Sequence, residues 1–318
     1  MLNFTNLKVL VIGDICLDVI EEGESTRISP EAPVPIILNP TKSYSLGMAG
    51  NVALNLKNLG ADVTVESRIS LDKYGNKIIS LLEKSGIKYK IDEYFENDKI
   101  SNISTIVKKR IMANGHHIAR IDKESNFITE NFLIKLEEVL SLYDTNQFDY
   151  IIISDYNKGF ISKETWHIIQ PHLERINKSN EFFVDTKKNN VLSFFEGYHI
   201  FPNSKELQQI MEYNNCQSPK DLVIELDTDF IVETKSEYGA SIYTSKSKPY
   251  DSPAISKEVI DVTGAGDTFM AAFSLFYMRY KNYIKALKFA NYCCSFVVNK
   301  KGTYPITIQE VNNFDKYL

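Results

Sequence analysis

No stretch of this chain approaches the ~18 consecutive apolar residues that a membrane-spanning helix needs, and its start, MLNFTNLK, lacks the charged and apolar regions of a secretory signal. These absences predict a cytoplasmic protein without membrane contact. Cysteine is scarce. Cys16, Cys216, Cys293 and Cys294 show neither a disulfide-framework spacing nor a C-x-x-C pair, which argues against a stapled secreted fold and a thiolate metal site. Long basic runs are missing too: the densest cluster is Lys108, Lys109 and Arg110, and 36 basic against 41 acidic side chains leave a net charge of −5. Nucleic acid is therefore not an expected partner. What remains is an ordinary globular composition, 43% hydrophobic and 24% charged over 318 residues, sufficient for a sizeable core.

Short β-branched and aromatic runs alternate with helix-period segments, the pattern of a mainly parallel sheet covered by helices. Strands are expected at 8–12, 62–66, 148–154, 181–185, 198–201, 229–234 and 240–244. Val52, Leu56 and Leu59 form one helical stripe ended by Gly60, and Phe132, Leu133, Leu136, Val139 and Leu140 form another behind the N-cap candidate Thr129. Two segments break this rhythm. Residues 18–44 carry Pro30, Pro33, Pro35 and Pro40, which disfavour helix, and residues 99–122 alternate apolar and polar positions as hairpin strands do. A small β-rich flap on a single α/β body is expected.

The most informative stretch is Asp261-Val262-Thr263-Gly264-Ala265-Gly266-Asp267, which runs into a helix apolar nearly all round. Glycines there allow a tight turn with unobstructed N–H groups. Those groups and the positive end of the helix dipole suit a phosphoryl group that gathers charge during transfer, so Gly264, Ala265 and Gly266 are the expected anion hole. Asp267 at its mouth is expected to stay ionised and to accept a proton from an attacking hydroxyl. At the end of the first strand, Asp14 and Asp18 place two carboxylates at the edge where open α/β sheets bind ligands, and carboxylates accept paired bonds from vicinal hydroxyls.

D-x-T-G-A-G-D resembles the C-terminal signature of the ribokinase-like (PfkB) carbohydrate kinases, and further motifs recur in family order along nearly the whole chain. The resemblance implies one three-layer α/β domain over residues 1–318, with a mainly parallel central sheet flanked by helices and a small β-sheet lid from about 18–44 and 99–122. It implies ATP-dependent phosphorylation of a sugar hydroxyl, with Asp267 as catalytic base, and a homodimer formed through the lid. Leu46-Gly47-Met48-Ala49-Gly50-Asn51 is similar to the family's N-terminal signature, in which Gly47 and Asn51 would approach the sugar; Met48 stands where the family usually has its second glycine.

Arg27-Ile28-Ser29-Pro30-Glu31-Ala32-Pro33, Ser154-Asp155-Tyr156-Asn157-Lys158-Gly159 and the Lys108 to Asp122 stretch resemble one branch, the D-glycero-β-D-manno-heptose 7-phosphate kinases of ADP-heptose synthesis. Asn157 stands where that branch commonly has glycine. An acceptor that already carries a phosphate requires cations, and Arg110, Arg120, Lys158 and Lys187 are the candidates. Bifunctional members of the branch continue into a nucleotidyltransferase with an H-x-G-H motif, absent from these 318 residues, so only the kinase step is implied.

At the nucleotide end, Asn203-Ser204-Lys205-Glu206 resembles the family's N-x-x-E motif, whose glutamate organises Mg²⁺ indirectly through water. The same spacing is also a capping-box helix start, as in Thr307 to Glu310. Thr234 and Gly239 match the turn beside the nucleotide, and Asn291 matches a position near adenine. In some relatives K⁺ binds near the loop corresponding to Asp261. Two other functions fit the residues: a kinase of the same fold for another sugar, sugar phosphate or nucleoside, and a non-catalytic sugar or nucleotide binder.

Overall fold

The structure is a computed structural model that describes residues 2–90, 104–124, 130–256 and 259–316. Thr129 and residues 99–103 of the expected flap lie outside the described residues. The chain opens with β1 (Lys8–Gly13), β2 (Ile15–Glu24), β3 (Leu38–Met48), α1 (Ala49–Leu59), β4 (Asp62–Glu66), α2 (Lys73–Lys84) and β5 (Lys88–Tyr89). It continues through β6 (Ile106–Ala113), β7 (His116–Lys123), α3 (Glu130–Ser141), β8 (Tyr150–Asp155), α4 (Lys163–Ile176), β9 (Phe182–Thr186) and β10 (His199–Ile200). The last part comprises α5 (Ser204–Tyr213), α6 (Pro219–Glu225), β11 (Ile231–Thr234), β12 (Ala240–Tyr243), β13 (Tyr250–Ser252), α7 (Ala265–Tyr280), α8 (Tyr283–Val297) and α9 (Ile308–Val311).

Six strands form the central sheet in the order β10-β9-β8-β1-β4-β5, every neighbouring pair parallel. Val9 to Ile12 and Ile151 to Ile153 are fully buried, as expected of parallel strands covered on both faces. Among the flanking helices, α7 packs on both α1 and α8, and α3 packs on α4. Every residue of α7 from Asp267 to Tyr277 is buried, so the start of this helix is fixed inside the body.

β11 and β12 depart from the expectation of membership in one mainly parallel sheet. They join β13 in a separate three-stranded antiparallel sheet. The connection is the reason: only residues 235–239 separate β11 from β12, whereas a parallel partner needs a crossover of about a dozen residues.

The expected flap is a four-stranded sheet, β3-β2-β6-β7. It grows from the C-terminal edge of the body, since β2 begins one residue after β1 ends and β3 runs directly into α1. Lys108 pairs with Asp18 and Asp122, and Arg110 pairs with Ile20 and Arg120. Paired residues share a face and neighbours alternate, so Lys108, Arg110 and Arg120 point one way with Asp18, while Lys109 points the other.

Candidate active site

Gly264 caps α7 at φ +79°, and no side chain caps the helix. Glycine adopts that conformation without strain, and a Cβ there would lie 2.6 Å from Asn51 Nδ2. Gly266 is different. A Cβ at Gly266 would meet nothing within 4 Å beyond its chain neighbours and its own helix backbone, and the residue lines both cavities of the site. Of the three expected anion-hole donors, the Ala265 amide donates to Val262 O at 3.1 Å within the turn. The amides of Gly266 and Asp267, in the first turn, have no acceptor among the described residues.

Asp267 is 5% exposed; its Oδ2 accepts from Asn51 Nδ2 and its Oδ1 from the Tyr156 hydroxyl, both at 2.8 Å. Asn51 is held in turn by Asn55, whose Nδ2 donates to Asn51 O at 2.8 Å and whose Oδ1 accepts from Ile306 N at 3.0 Å. Burial pushes the Asp267 carboxyl up to about 6, against the opposing influence of the two donors. Loss of solvation is the largest influence, yet a carboxyl near 6 is still mostly ionised at neutral pH. A group that releases its proton just below neutrality is suited to act as a general base.

The acceptor candidates separate into two groups. Asp14 is buried and receives Lys158 N and Phe160 N, at 2.9 and 3.1 Å, on its two oxygens, so it anchors the loop after β8. Asp18 is also buried; Oδ1 accepts from Arg110 Nη1 at 2.6 Å. A Cβ on Gly47 would overlap Asp18 Oδ2 and Cys16 Sγ, so it is Asp18 that demands glycine there. Arg120 pairs with Asp122 at 2.7 Å on the same face as Arg110. Lys158 pairs with Glu124 at 2.8 Å and does not join the cluster around Asp267.

Both departures from the family pattern have a conformational account. Asn157 lies at φ +56°, a left-handed conformation that asparagine tolerates better than most residues. Met48, at φ 57° and ψ −131°, occupies a region favoured by glycine, at a cost of about 1–3 kcal/mol. Its buried side chain packs with Cys16, Ile106 and Tyr156.

A polar cavity of about 130 Å³ brings Asp267 together with Tyr156, Asp185, Lys187, Asn203 and Glu206. It shares Asn203, Thr234, Gly266 and Phe269 with a more apolar cavity of about 460 Å³, which adds Gly239, Ala265 and Asn291. The second volume is in the range of small-molecule sites. Gly239, at φ +94°, lets the wall turn, and Asn291 Nδ2 ties that wall to α8 by donating to Ser252 O and Oγ at 2.9 Å each. Asn203 and Glu206 do form a capping box, and the free Glu206 oxygen, Oε1, pairs with Lys187 at 2.7 Å. Burial opposes the Lys187 charge, but Asp185 and Glu206 outweigh it and hold the ammonium protonated.

Among the described residues no three His, Cys, Asp or Glu side chains converge as a metal cage. Asp185 and Glu206 on one small polar cavity nevertheless fit Mg²⁺, which retains most of its waters and takes few protein ligands. The Asp261 carboxylate is engaged internally, accepting from Thr263 N, Thr263 Oγ1 and Gly302 N. Tyr156 and Lys108 were not among the sequence candidates for the site. Tyr156 contacts Asp267 across 111 positions, and Lys108 Nζ lies 5.0 Å from the Tyr156 ring centroid. The alternation of residues 106–113 carried a signal for Lys108, since it shares the face of Arg110.

The family model for pfkB family carbohydrate kinase matches residues 6–309. Among curated proteins, the bifunctional protein HldE of Sulfurimonas denitrificans is 33% identical over 321 residues, covering 98% of this chain and 65% of that protein. HldE of a Nitratiruptor species is 32% identical over 322 residues, covering 97% and 65%. The chain thus spans about 65% of the length of these relatives. Among solved structures, phosphofructokinase-2 from Escherichia coli in complex with substrates and products superposes with a TM-score of 0.76 at 16% identity, covering 98% of this chain and 99% of that one. Ribokinase from Giardia lamblia gives 0.70 at 18%, covering 99% and 100%. These likenesses show the ribokinase-like fold. With the family match running from residue 6 to residue 309, the chain belongs to the pfkB family of carbohydrate kinases, phosphotransferases acting on sugars.

Proposed function

We propose that this kinase transfers the γ-phosphoryl group of ATP to the anomeric hydroxyl of D-glycero-β-D-manno-heptose 7-phosphate, giving the 1,7-bisphosphate. The observation that carries the reading is the position of Asp267: a buried carboxylate poised near pH 6, beside the open amides at the start of α7 and on the small polar cavity that adjoins the larger one through Gly266. Asp267 would take the proton of the attacking hydroxyl. The Gly266 and Asp267 N–H groups and the Lys187 ammonium would face the charge on the transferred group. Asp185 and Glu206 would hold Mg²⁺ through water, and the ion supplies charge neutralisation at the nucleotide phosphates.

The choice of a phosphorylated acceptor is supported by the inner face of the four-stranded sheet. Lys108, Arg110 and Arg120 converge there beside Asp18, which provides cations for a phosphate and a carboxylate for hydroxyls. The similarity to HldE favours a heptose. We assign this sheet as a lid whose closure would keep water from the transferred group. Ile118 and Ile121, exposed on its edge strand β7, support a homodimer formed through it.

An ADP-release assay across phosphorylated and unphosphorylated sugars tests the substrate. Heptose 7-phosphate should exceed unphosphorylated heptose in kcat/KM by about 10²-fold or more, since each charge-assisted bond to phosphate is worth roughly 1.5–3 kcal/mol. Strong turnover of fructose or ribose with none of heptose 7-phosphate would overturn it.

A further inference from the structure

Tyr156 sits at the point where the body, the four-stranded sheet and the base meet. Its hydroxyl donates to Asp267 Oδ1 at 2.8 Å. Lys108 of β6 and Lys187 just after β9 place their ammonium groups 5.0 and 5.3 Å from its ring centroid. The ring is backed by Cys16, Met48 and Ile106, so it cannot swing away without disturbing the base of the flap. Burial, reinforced by Asp267, pushes the phenol well above its usual range, which keeps it a donor.

Building on the assignment of Asp267 as base, we propose that Tyr156 is a positioning residue for phosphoryl transfer: its hydroxyl sets the orientation and proton affinity of Asp267, while its ring holds Lys108 and Lys187 at the reacting centre. A donor on a carboxylate favours the ionised form. Burial alone would hold Asp267 protonated to a higher pH, and the Tyr156 hydroxyl brings part of that back down. Asn51 does the same on the other oxygen, so the carboxylate is fixed from both sides and its remaining lone pairs face the cavity. The other groups facing Asp267 are Asp185 and Lys187 from β9 and its following residues, Lys108 from β6, and the buried Cys16 thiol from β2. A phenylalanine at 156 leaves all of these in place and keeps the ring.

The test is the pH dependence of kcat/KM for heptose 7-phosphate in three proteins: wild type, Tyr156→Phe, and the chain carrying 3,5-difluorotyrosine at 156, a stronger donor of the same shape. The acid limb of the wild type is expected near 6. In Tyr156→Phe it should move up by about one pH unit, and the high-pH plateau should fall as well because the carboxylate loses one of its two orienting donors. In the fluorinated protein it should move down. The opposite signs keep the proposal open to refutation even if the phenylalanine variant folds poorly. Coincident limbs in all three proteins, or a loss in Tyr156→Phe that is equal at every pH, would overturn it. Asp267→Asn separates the two levels: an active Asp267→Asn enzyme refutes the base itself, while an inactive one with coincident limbs refutes only the role of Tyr156.

Discussion

Replacing Asp267 by asparagine should lower kcat by at least about two orders of magnitude, with nucleotide binding largely retained. The substitution preserves shape and removes the one group in the small cavity placed to take a proton from an acceptor beside the α7 amides. Asparagine presents one carbonyl oxygen where the carboxylate offered two, so either Asn51 or Tyr156 loses its acceptor and a modest local cost accompanies the catalytic loss. The wild-type rate should itself fall about tenfold per unit of pH below about 6, because only the ionised carboxyl is a base. The sign for stability is opposite. A carboxyl that holds its proton to about 6 when folded, and only to about 3.9 when unfolded, leaves the fold unaffected at low pH and costs it roughly 3 kcal/mol above pH 6. Asp267→Asn should therefore regain stability at pH 8 relative to pH 4, measured by chemical denaturation. A variant with wild-type kcat would remove Asp267 from the mechanism.

Gly266→Ala should give a protein that is at least as stable as wild type and severely impaired. Beyond its chain neighbours and own helix backbone nothing lies within 4 Å of an added methyl group, and alanine in the first turn of a helix gains about 0.5–1 kcal/mol over glycine. The same methyl would project into the space where the two cavities meet, beside the open amides. A loss on the order of 10²-fold or more in kcat/KM for ATP is expected, the scale of one anion-hole donor. Thermal unfolding and steady-state kinetics on the same preparation decide it: a destabilised protein would mean that Gly266 serves the fold, and an unchanged rate would mean that nothing approaches it. Gly264→Ala, which would crowd Asn51 in a left-handed conformation, makes the contrasting case.

What could be read from the chain alone followed its local periodicities. The buried stretch of α7 from Asp267 to Tyr277 was legible because its apolar residues leave little polar face, and the glycine turn before it because only particular residues satisfy such a backbone. The register of the four-stranded sheet, which turns Lys108 inward and Lys109 outward, was present in the alternation but not its direction. α4 was harder to see: Pro171 lies inside it, and a capping box at Ser162 with buried Trp166, Ile169 and Leu173 sustains a helix that the proline argues against. Charged candidates were the least legible. Lys158 and Arg120 are equivalent in sequence terms, and what separates them is a partner contributed by the fold, Glu124 for one and the inward-facing strand for the other. Asp14 resembled a ligand carboxylate because of its place at a strand end, yet its oxygens are satisfied by backbone amides more than 140 positions away. Tyr156 stood in a motif already singled out, but its hydroxyl acquires meaning only when tertiary packing brings it to Asp267.

The most direct measurement is a crystal structure with ADP, Mg²⁺, aluminium fluoride as the stand-in for the transferred group, and heptose 7-phosphate. It should show an Asp267 oxygen about 2.6–3.2 Å from the anomeric oxygen and the Gly266 and Asp267 amides about 2.7–3.1 Å from the fluoride ligands, with the sugar phosphate against Lys108, Arg110 and Arg120. A complex in which the Asp267 carboxylate is turned from the anomeric oxygen, or the fluoride is bound away from the start of α7, would contradict it.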